Sequence, residues 1–279
     1  MSRKNNVYLD PMATEFVELE SVRRVAVIDV MNFLHVSASS CKQLQRQDFE
    51  KGDRRELLDA LDLAAFMQFF LQREFDVRAI VPRSIRYRSG NGYLFDIFNA
   101  MGLTMYTDNM YDDLAIIKYA AENAGFIISK DKYRDVLKLD VTDAEKYVIH
   151  NRVIQPNVNP FKGADGEPYT LIDNGDCVVN FKAFIYAVNH NVLFSDPNSK
   201  DYEFCIHTRR NLTYNRLESL RETLVDIFNF VQKLTTVPVK DRGKEIKAFK
   251  TSMLKKWENL MDPELQDSIK QCREDLRRS

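Results

Sequence analysis

The sequence predicts an α/β protein: a parallel sheet with helices on both faces, followed by a helical C-terminal extension. Three observations carry that expectation. Short apolar runs rich in β-branched residues recur at VRRVAVIDV (22–30), VRAIVP (77–82), LTMYT (103–107) and FIIS (126–129), the composition of strands buried on both faces. Segments of helical period alternate with them, the order of strand–helix–strand units joined by right-handed crossovers. Beyond about residue 208 such runs cease and only helical spacing remains.

Taken in order, RELLDALDLAAFMQFFLQREF (55–75) places Leu58, Leu61, Ala65 and Phe69 at helical spacing ahead of the second strand. RSIRYRSGNG (83–92) reads as a basic loop, and YLFDIFNAMG (93–102) as a helix stopped by Gly102. NMYDDLAIIKYAAENAG (109–125) aligns Leu114, Ile117, Ala120 and Ala121 and ends at Gly125. DKYRDVLK (131–138) reads as helical, Thr142 with Glu145 as the capped start of the next helix, and NRVI (151–154) as a last strand. Residues from Asn157 to Thr208 read as loop-rich, with NPFKGADGEP (159–168) as a turn cluster. Leu217, Leu220, Leu224, Ile227, Phe228, Val231 and Leu234 mark one amphipathic helix, and Ile246, Phe249, Met253, Trp257 and Leu260 another. A third starts at Asp262 with Pro263 in its first position. The expected division is a domain over 20–158 and a loop-rich and helical region over 159–279, whose apolar stripes serve as core or as a surface for a partner helix.

Lys+Arg (40) and Asp+Glu (41) nearly cancel, so any basic surface must be local. Cys41, Cys177, Cys205 and Cys272 lie far apart with no C-x-x-C pair, which excludes a zinc clamp of that kind and fits a reducing compartment. His35, His150, His190 and His207 show no pairing that suggests a ligand set. The N-terminus lacks an apolar h-region, and no apolar run approaches the ~18 residues of a membrane span. A soluble, cytoplasmic protein with no membrane role is the expectation.

The acids are the most informative residues. Asp29 follows VAVI at the carboxyl end of a strand, where open parallel sheets bind their ligands. Asp131 follows FIISK at the same address on another strand, and Asp112 and Asp113 open a helix whose start faces the same rim. Each has an ordinary explanation. First-turn acids gain roughly 0.3–1 kcal/mol from the helix macrodipole, Asp131 can cap a helix, and Asp135 can be an exposed helical acid paired with Arg134 or an amide. Asp29 has the weakest of these, because a strand-end acid among apolar neighbours loses solvation unless something pairs with it. Together they point elsewhere: clustered carboxylates repel, and a divalent cation neutralises them. Oxygen ligands without His or Cys suit Mg²⁺ or Mn²⁺. A hard cation there can polarise a phosphate oxygen, acidify bound water and align the nucleophile, and phosphodiester hydrolysis uses all three. A haloacid-type phosphoryl transferase would instead want D-x-D-x-T where this chain has DVMNF.

The succession VAVID-x-x-N, VRAIVP, YDDLAIIKYA, GFIISKDKYRDV and EKYVIHNRVI, within Val22 to Val158, closely resembles the NYN domain of the PIN-like nuclease superfamily, and within it the Regnase-type ribonucleases. The resemblance implies a PIN-like fold and a Mg²⁺-dependent endoribonuclease that cuts single-stranded RNA or loops in RNA turnover or RNA silencing. It assigns Asp29, Asp112, Asp113 and Asp131 to the catalytic positions, with Asp29, Asp113 and Asp131 on the metal. Asn32 fills the D-x-x-N slot, orienting Asp29 or a water, and Asp135 is a supporting acid. Val30 stands where that family commonly has Gly, and Lys130 and Lys132 flank Asp131 where its members tend to carry Asn. TDNM replaces the basic loop that relatives place before Y-D-D, and their CCCH zinc finger has no counterpart here. Substrate capture must then come from elsewhere, including a protein partner.

Arg83, Arg86 and Arg88 supply candidate phosphate contacts, with Tyr87 or Tyr93 to stack on a base. Lys118, Lys130, Lys132 and Arg134 are further candidates. The alternatives are a solvated basic loop, an exposed Lys118 and a structural ion pair at Arg134. A rival reading keeps the fold as a non-catalytic RNA- or protein-binding scaffold, motivated by Val30, Lys130, Lys132 and the missing finger. Expected partners are RNA, a protein on the C-terminal helices, and a second copy of the chain.

Overall fold

Asp29 ends the central strand, and the rest of the architecture is arranged around it. The computed structural model describes residues 21–40, 58–107, 112–155, 172–173, 176–177, 190–209 and 212–260. After a short β1 (Val22–Arg23), the predicted strands form β2 (Ala26–Asp29), β3 (Val77–Pro82), β4 (Thr104–Thr107), β5 (Phe126–Ile128) and β6 (Val153–Ile154). β2 to β6 make one five-stranded parallel sheet in the order β4-β3-β2-β5-β6. The chain runs outward through β3 and β4, then returns to the other side of β2. That reversal leaves a crevice at the carboxyl ends of β2 and β5.

Alternation along the strands sorts the core. Ala26, Ile28, Val77 and Ile128 join α1 (Val30–Ser40), α2 (Ala60–Gln72) and α3 (Leu94–Ala100) in one cluster. Phe33 stacks on Phe66 at 4.3 Å there, and Phe70 meets Phe66 edge-on at 5.1 Å. Val25, Val27, Ile80 and Ile127 face the other way, against α4 (Asp112–Glu122) and α5 (Asp143–Asn151). The sheet is therefore covered on both faces, as the continuous apolar strands require. α5 starts with the expected capping box: Thr142 Oγ1 accepts from Glu145 N at 3.2 Å, and Thr142 N donates to Glu145 Oε2 at 2.7 Å.

Three local expectations are corrected. The first strand stops at Asp29 rather than Val30, because Asp29 Oδ1 accepts Asn32 N at 3.0 Å and so caps α1 directly. DKYRDVLK is not an α-helix: Tyr133 takes a left-handed φ of 50°, Asp131 Oδ1 accepts Tyr133 N at 2.8 Å, and only Val136–Lys138 forms a 3₁₀ turn. The basic stretch is not a loop throughout, since Arg83–Tyr87 is 3₁₀-helical.

Parts of the region expected to be loop-rich form regular elements. Ile172–Asp173 (β7) and Asp176–Cys177 (β8) pair antiparallel. The 159–168 turn cluster lies outside the described residues. α6 (His190–Leu193), β9 (Phe194–Ser195) and α7 (Tyr202–Arg209) return to the domain's start, where β9 pairs antiparallel with β1. Arg24, 3% exposed, anchors this return. Its guanidinium donates to Phe194 O (3.1 Å), Ala124 O (3.2 Å) and both Asp201 oxygens (2.5 and 3.1 Å).

α8 (Tyr214–Thr236) and α9 (Val239–Glu258) add an outer layer over α2 and α3. Leu220, Leu224, Ile227, Phe228 and Trp257 share the cluster that holds Phe66 and Phe126. Arg221 caps the carboxyl end of α2, donating to Leu71 O at 2.8 Å and Gln72 O at 3.1 Å. Phe249 stacks on Phe230 at 3.9 Å, and Trp257 Nε1 donates to Thr223 Oγ1 at 3.2 Å. The helix expected from Asp262 lies outside the described residues. Among the described residues no helix is long and apolar enough to cross a membrane.

Candidate active site

Asp29 is 5% exposed, and its carboxylate is held from three sides. Oδ1 takes the Asn32 amide, while Oδ2 accepts Ser129 Oγ at 2.7 Å and Tyr133 Oη at 3.2 Å. Burial pushes its pKa up and these donors pull it back, with the charge of Asp131 adding a further upward push. Asn32 holds Asp29 through its backbone amide, and its side chain makes a separate contact. Its Oδ1 accepts Lys130 N at 2.7 Å, tying the start of α1 to the turn after β5. Ser129 Oγ also accepts Asp131 N at 3.0 Å.

Asp113, in the first turn of α4, faces this group. Desolvation, then the charges of Asp29, Asp131, Asp112 and Asp135, raise its carboxyl to about 6. Asp112 sits half-buried beside it and accepts Thr107 Oγ1 at 3.4 Å from the end of β4. An open cleft of about 660 Å³ borders Asp113, Asp131, Asn32 and Tyr133, with Lys130, Lys132, Arg134, Asp135 and Lys138 on its walls. Asp135 is drawn off by Lys138 at 2.8 Å, which holds its carboxyl below the ordinary value. Lys130, Lys132 and Arg134 are exposed at the rim of the cleft.

Asp113 and Asp131 thus border the cleft, whereas Asp29 is not among its lining residues. It is buried with both oxygens accepting protein donors, and its charge acts on Asp113. The donor chemistry of these acids fits a hard cation: oxygen atoms only, in excess negative charge. Among the described residues, however, no three His, Cys, Asp or Glu side chains stand close enough together to form a ligand set.

The basic turn after β3 divides by the 3₁₀ period, which eclipses residues three apart. Arg83 lies 5.4 Å over the Tyr106 ring, and Arg86 pairs with Asp96 at 3.5 Å with its side chain 10% exposed. Tyr87 and Arg88 are exposed, Tyr87 at 72%. Tyr93 packs edge-on against Phe230. Lys118 is exposed on α4, is not among the residues lining the cleft, and lies 3.8 Å from Glu122.

Ser129 and Tyr133 are the site residues that sequence reasoning missed. The only signal was the polar end of FIIS and a Tyr two positions after Asp131. Tyr133→Phe keeps the buried ring and removes one donor from Asp29. The expected result is a loss of about 1–2 kcal/mol in urea unfolding, with a further rise in the Asp29 pKa measured by NMR titration.

The five-stranded parallel sheet covered on both faces, with carboxylates at its switch point, is a doubly wound α/β domain consistent with a PIN-like fold. The family model for the Zc3h12a-like ribonuclease NYN domain matches residues 22–168, and the chain belongs to that family. No curated protein matches the chain. It therefore carries a nuclease-type ribonuclease domain.

Proposed function

We propose that the chain is a divalent-metal-dependent endoribonuclease that hydrolyses phosphodiester bonds in single-stranded RNA. Its place would be in cytoplasmic RNA turnover or RNA silencing. The observation that supports this best is Asp113, whose carboxyl is raised to about 6 by burial and the surrounding acids. Asp29, Asp113 and Asp131 would hold Mg²⁺ or Mn²⁺, and such an ion, when bound, polarises a phosphate oxygen and acidifies water. The remaining work falls to side chains. The carboxyl of Asp113, raised by its burial and the neighbouring acids, marks the excess negative charge that a bound cation would relieve. Lys130, Lys132 and Arg134 can meet the charge of the scissile phosphate at the cleft wall. Ser129, Tyr133 and the Asn32 amide fix Asp29 so that the acids need not reorganise. The test is cleavage of end-labelled single-stranded RNA in Mg²⁺ or Mn²⁺. Activity no greater than that of the Asp29→Asn and Asp113→Asn proteins would refute the reading.

A binding scaffold is the second reading. It draws on the lack of a closed three-acid ligand set among the described residues and on the lysines flanking Asp131. Thermal unfolding separates the two. A metal that binds only the native state adds about 2.7 kcal/mol at a hundred times its Kd, so a clear rise in Tm across millimolar Mg²⁺ or Mn²⁺ is expected. A flat response would favour the scaffold.

A further inference from the structure

The two sides of α9 are chemically opposed. Phe249, Met253 and Trp257 face inward and pack against the core, and the lysines on that side are neutralised. Lys250 pairs with Asp96, and Lys256 with Asp226 at 3.3 Å. Lys240, Lys244, Lys247 and Lys255 are exposed, and none forms an ion pair among the described residues. These four recur at i, i+4, i+7 and i+15, so they share one stripe, with Thr251 in the interval and Glu258 at its far end. At 1.5 Å per residue the stripe spans about 22 Å. It stands on a chain of formal charge -1, so it is a local concentration of charge.

We propose that this outer face of α9 is a docking surface for the phosphate backbone of single-stranded RNA, supplying the substrate capture that the cleft alone does not. The inference rests on RNA being the substrate of the cleft. Two observations favour RNA over other anionic partners. Besides the acid Asp241, the exposed residues between the lysines are small or polar (Gly243, Ala248, Thr251, Ser252), so the face offers no apolar anchor of the kind a protein interface centres on. The apolar side of α9 is consumed against α8, so the helix cannot insert that side into a bilayer. The inward side of α9 is tied to the turn that follows β3. Asp96 accepts Tyr106 Oη at 3.1 Å and pairs with both Arg86 and Lys250, which joins the middle of α9 to the turn that exposes Tyr87 and Arg88. Tyr87 and Arg88 then provide a stacking and phosphate step between α9 and the end of β3.

The test uses the full chain carrying Asp113→Asn, so that RNA stays intact, and a fluorescent 20-nucleotide single strand of mixed sequence. Anisotropy is read across a salt series, with Lys240, Lys244, Lys247 and Lys255 either all changed to Ala or all to Arg. The alanine protein is expected to bind at least about tenfold more weakly, with the slope of log K against log salt shallower by about 3, as the loss of four phosphate contacts to a single strand requires. The arginine protein should retain both. In the cleaving background the alanine changes should raise KM and leave kcat unchanged. Binding equal to that of the parent, or no RNA binding by the parent at all, would overturn the proposal. So would loss of binding to anionic phosphatidylserine vesicles with RNA binding intact. Weakened binding in a parent that never cleaves would instead keep the docking surface and refute the nuclease reading.

Discussion

Asp113→Asn is expected to lower RNA cleavage about 10²–10⁴-fold and, in metal-free buffer at neutral pH, to raise the melting temperature. The two effects share one cause. Burial and four neighbouring acids raise the Asp113 carboxyl from 3.8 to about 6, so between those values the folded chain binds its proton more tightly than the unfolded chain does. Stability from this group is fully present below about pH 3.8 and is lost as pH climbs through about 6. Asparagine carries no charge to repel and avoids that loss. With solvent screening at a half-buried position, a gain of about 1–2 kcal/mol is expected above pH 7, worth several degrees in Tm, and it should vanish near pH 4. Metal binding, and cleavage with it, should weaken as pH drops below about 6, where protonation of Asp113 competes with the cation. Asp29→Asn makes the contrast. The new amide would point N–H groups at donors that the carboxylate accepted, Ser129 and Tyr133, so activity and stability should both drop. Paired pH-dependent unfolding and single-turnover cleavage check this. An Asp113→Asn protein that melts lower than its parent at pH 7.5 would show that the acids do not crowd one another.

Asp201→Asn is expected to cost about 2–3 kcal/mol, below the range for a fully buried ion pair because Asp201 keeps part of its surface in water. Asp201 accepts Arg24 on both oxygens, Arg152 at 2.5 Å and Ser195 Oγ at 2.9 Å, and the two guanidinium groups hold its carboxyl down at about 2 against the cost of desolvation. Without that charge, Arg24 keeps its carbonyl acceptors but stays buried with no anion. A carboxyl depressed in this way adds stability above about pH 3.8 and loses it as pH falls toward 2. The variant should therefore converge with its parent in acid. Urea unfolding at pH 7 and pH 3 reads both effects, and a loss below 1 kcal/mol at pH 7 would mean that Asp201 is more solvated than its contacts indicate.

Much of this was legible in the sequence, for local reasons. Strands buried on both faces leave continuous runs such as FII, and α4 and the Thr142 cap announce themselves by period and spacing. Asp29 and Asp131 could be located in the fold because a parallel sheet puts strand ends on one rim, and Asp113 because it opens the helix after β4. What stayed hidden depended on competition or distance. Val30 looks like strand until the capping oxygen of Asp29 claims the Asn32 amide. DKYRDVLK has a helical composition, but Tyr133 turns into the left-handed region directly after Asp131 and breaks the run. Arg86 looked available to RNA because its partner Asp96 lies on the next helix. Asp201 meets Arg24 across most of the chain, and such a pair leaves no periodic trace.

The antiparallel return of β9 onto β1 has a consequence for dissecting this protein into fragments. A piece ending at residue 168, where the family match stops, would carry Arg24 and Arg152 with no counter-ion and would uncover Phe75, against which Phe194 packs at 5.6 Å. It would also unstop the end of α2, whose carbonyls depend on Arg221. Limited proteolysis should accordingly release a resistant core that retains α8, and recombinant truncation short of α8 should yield aggregates rather than a minimal nuclease.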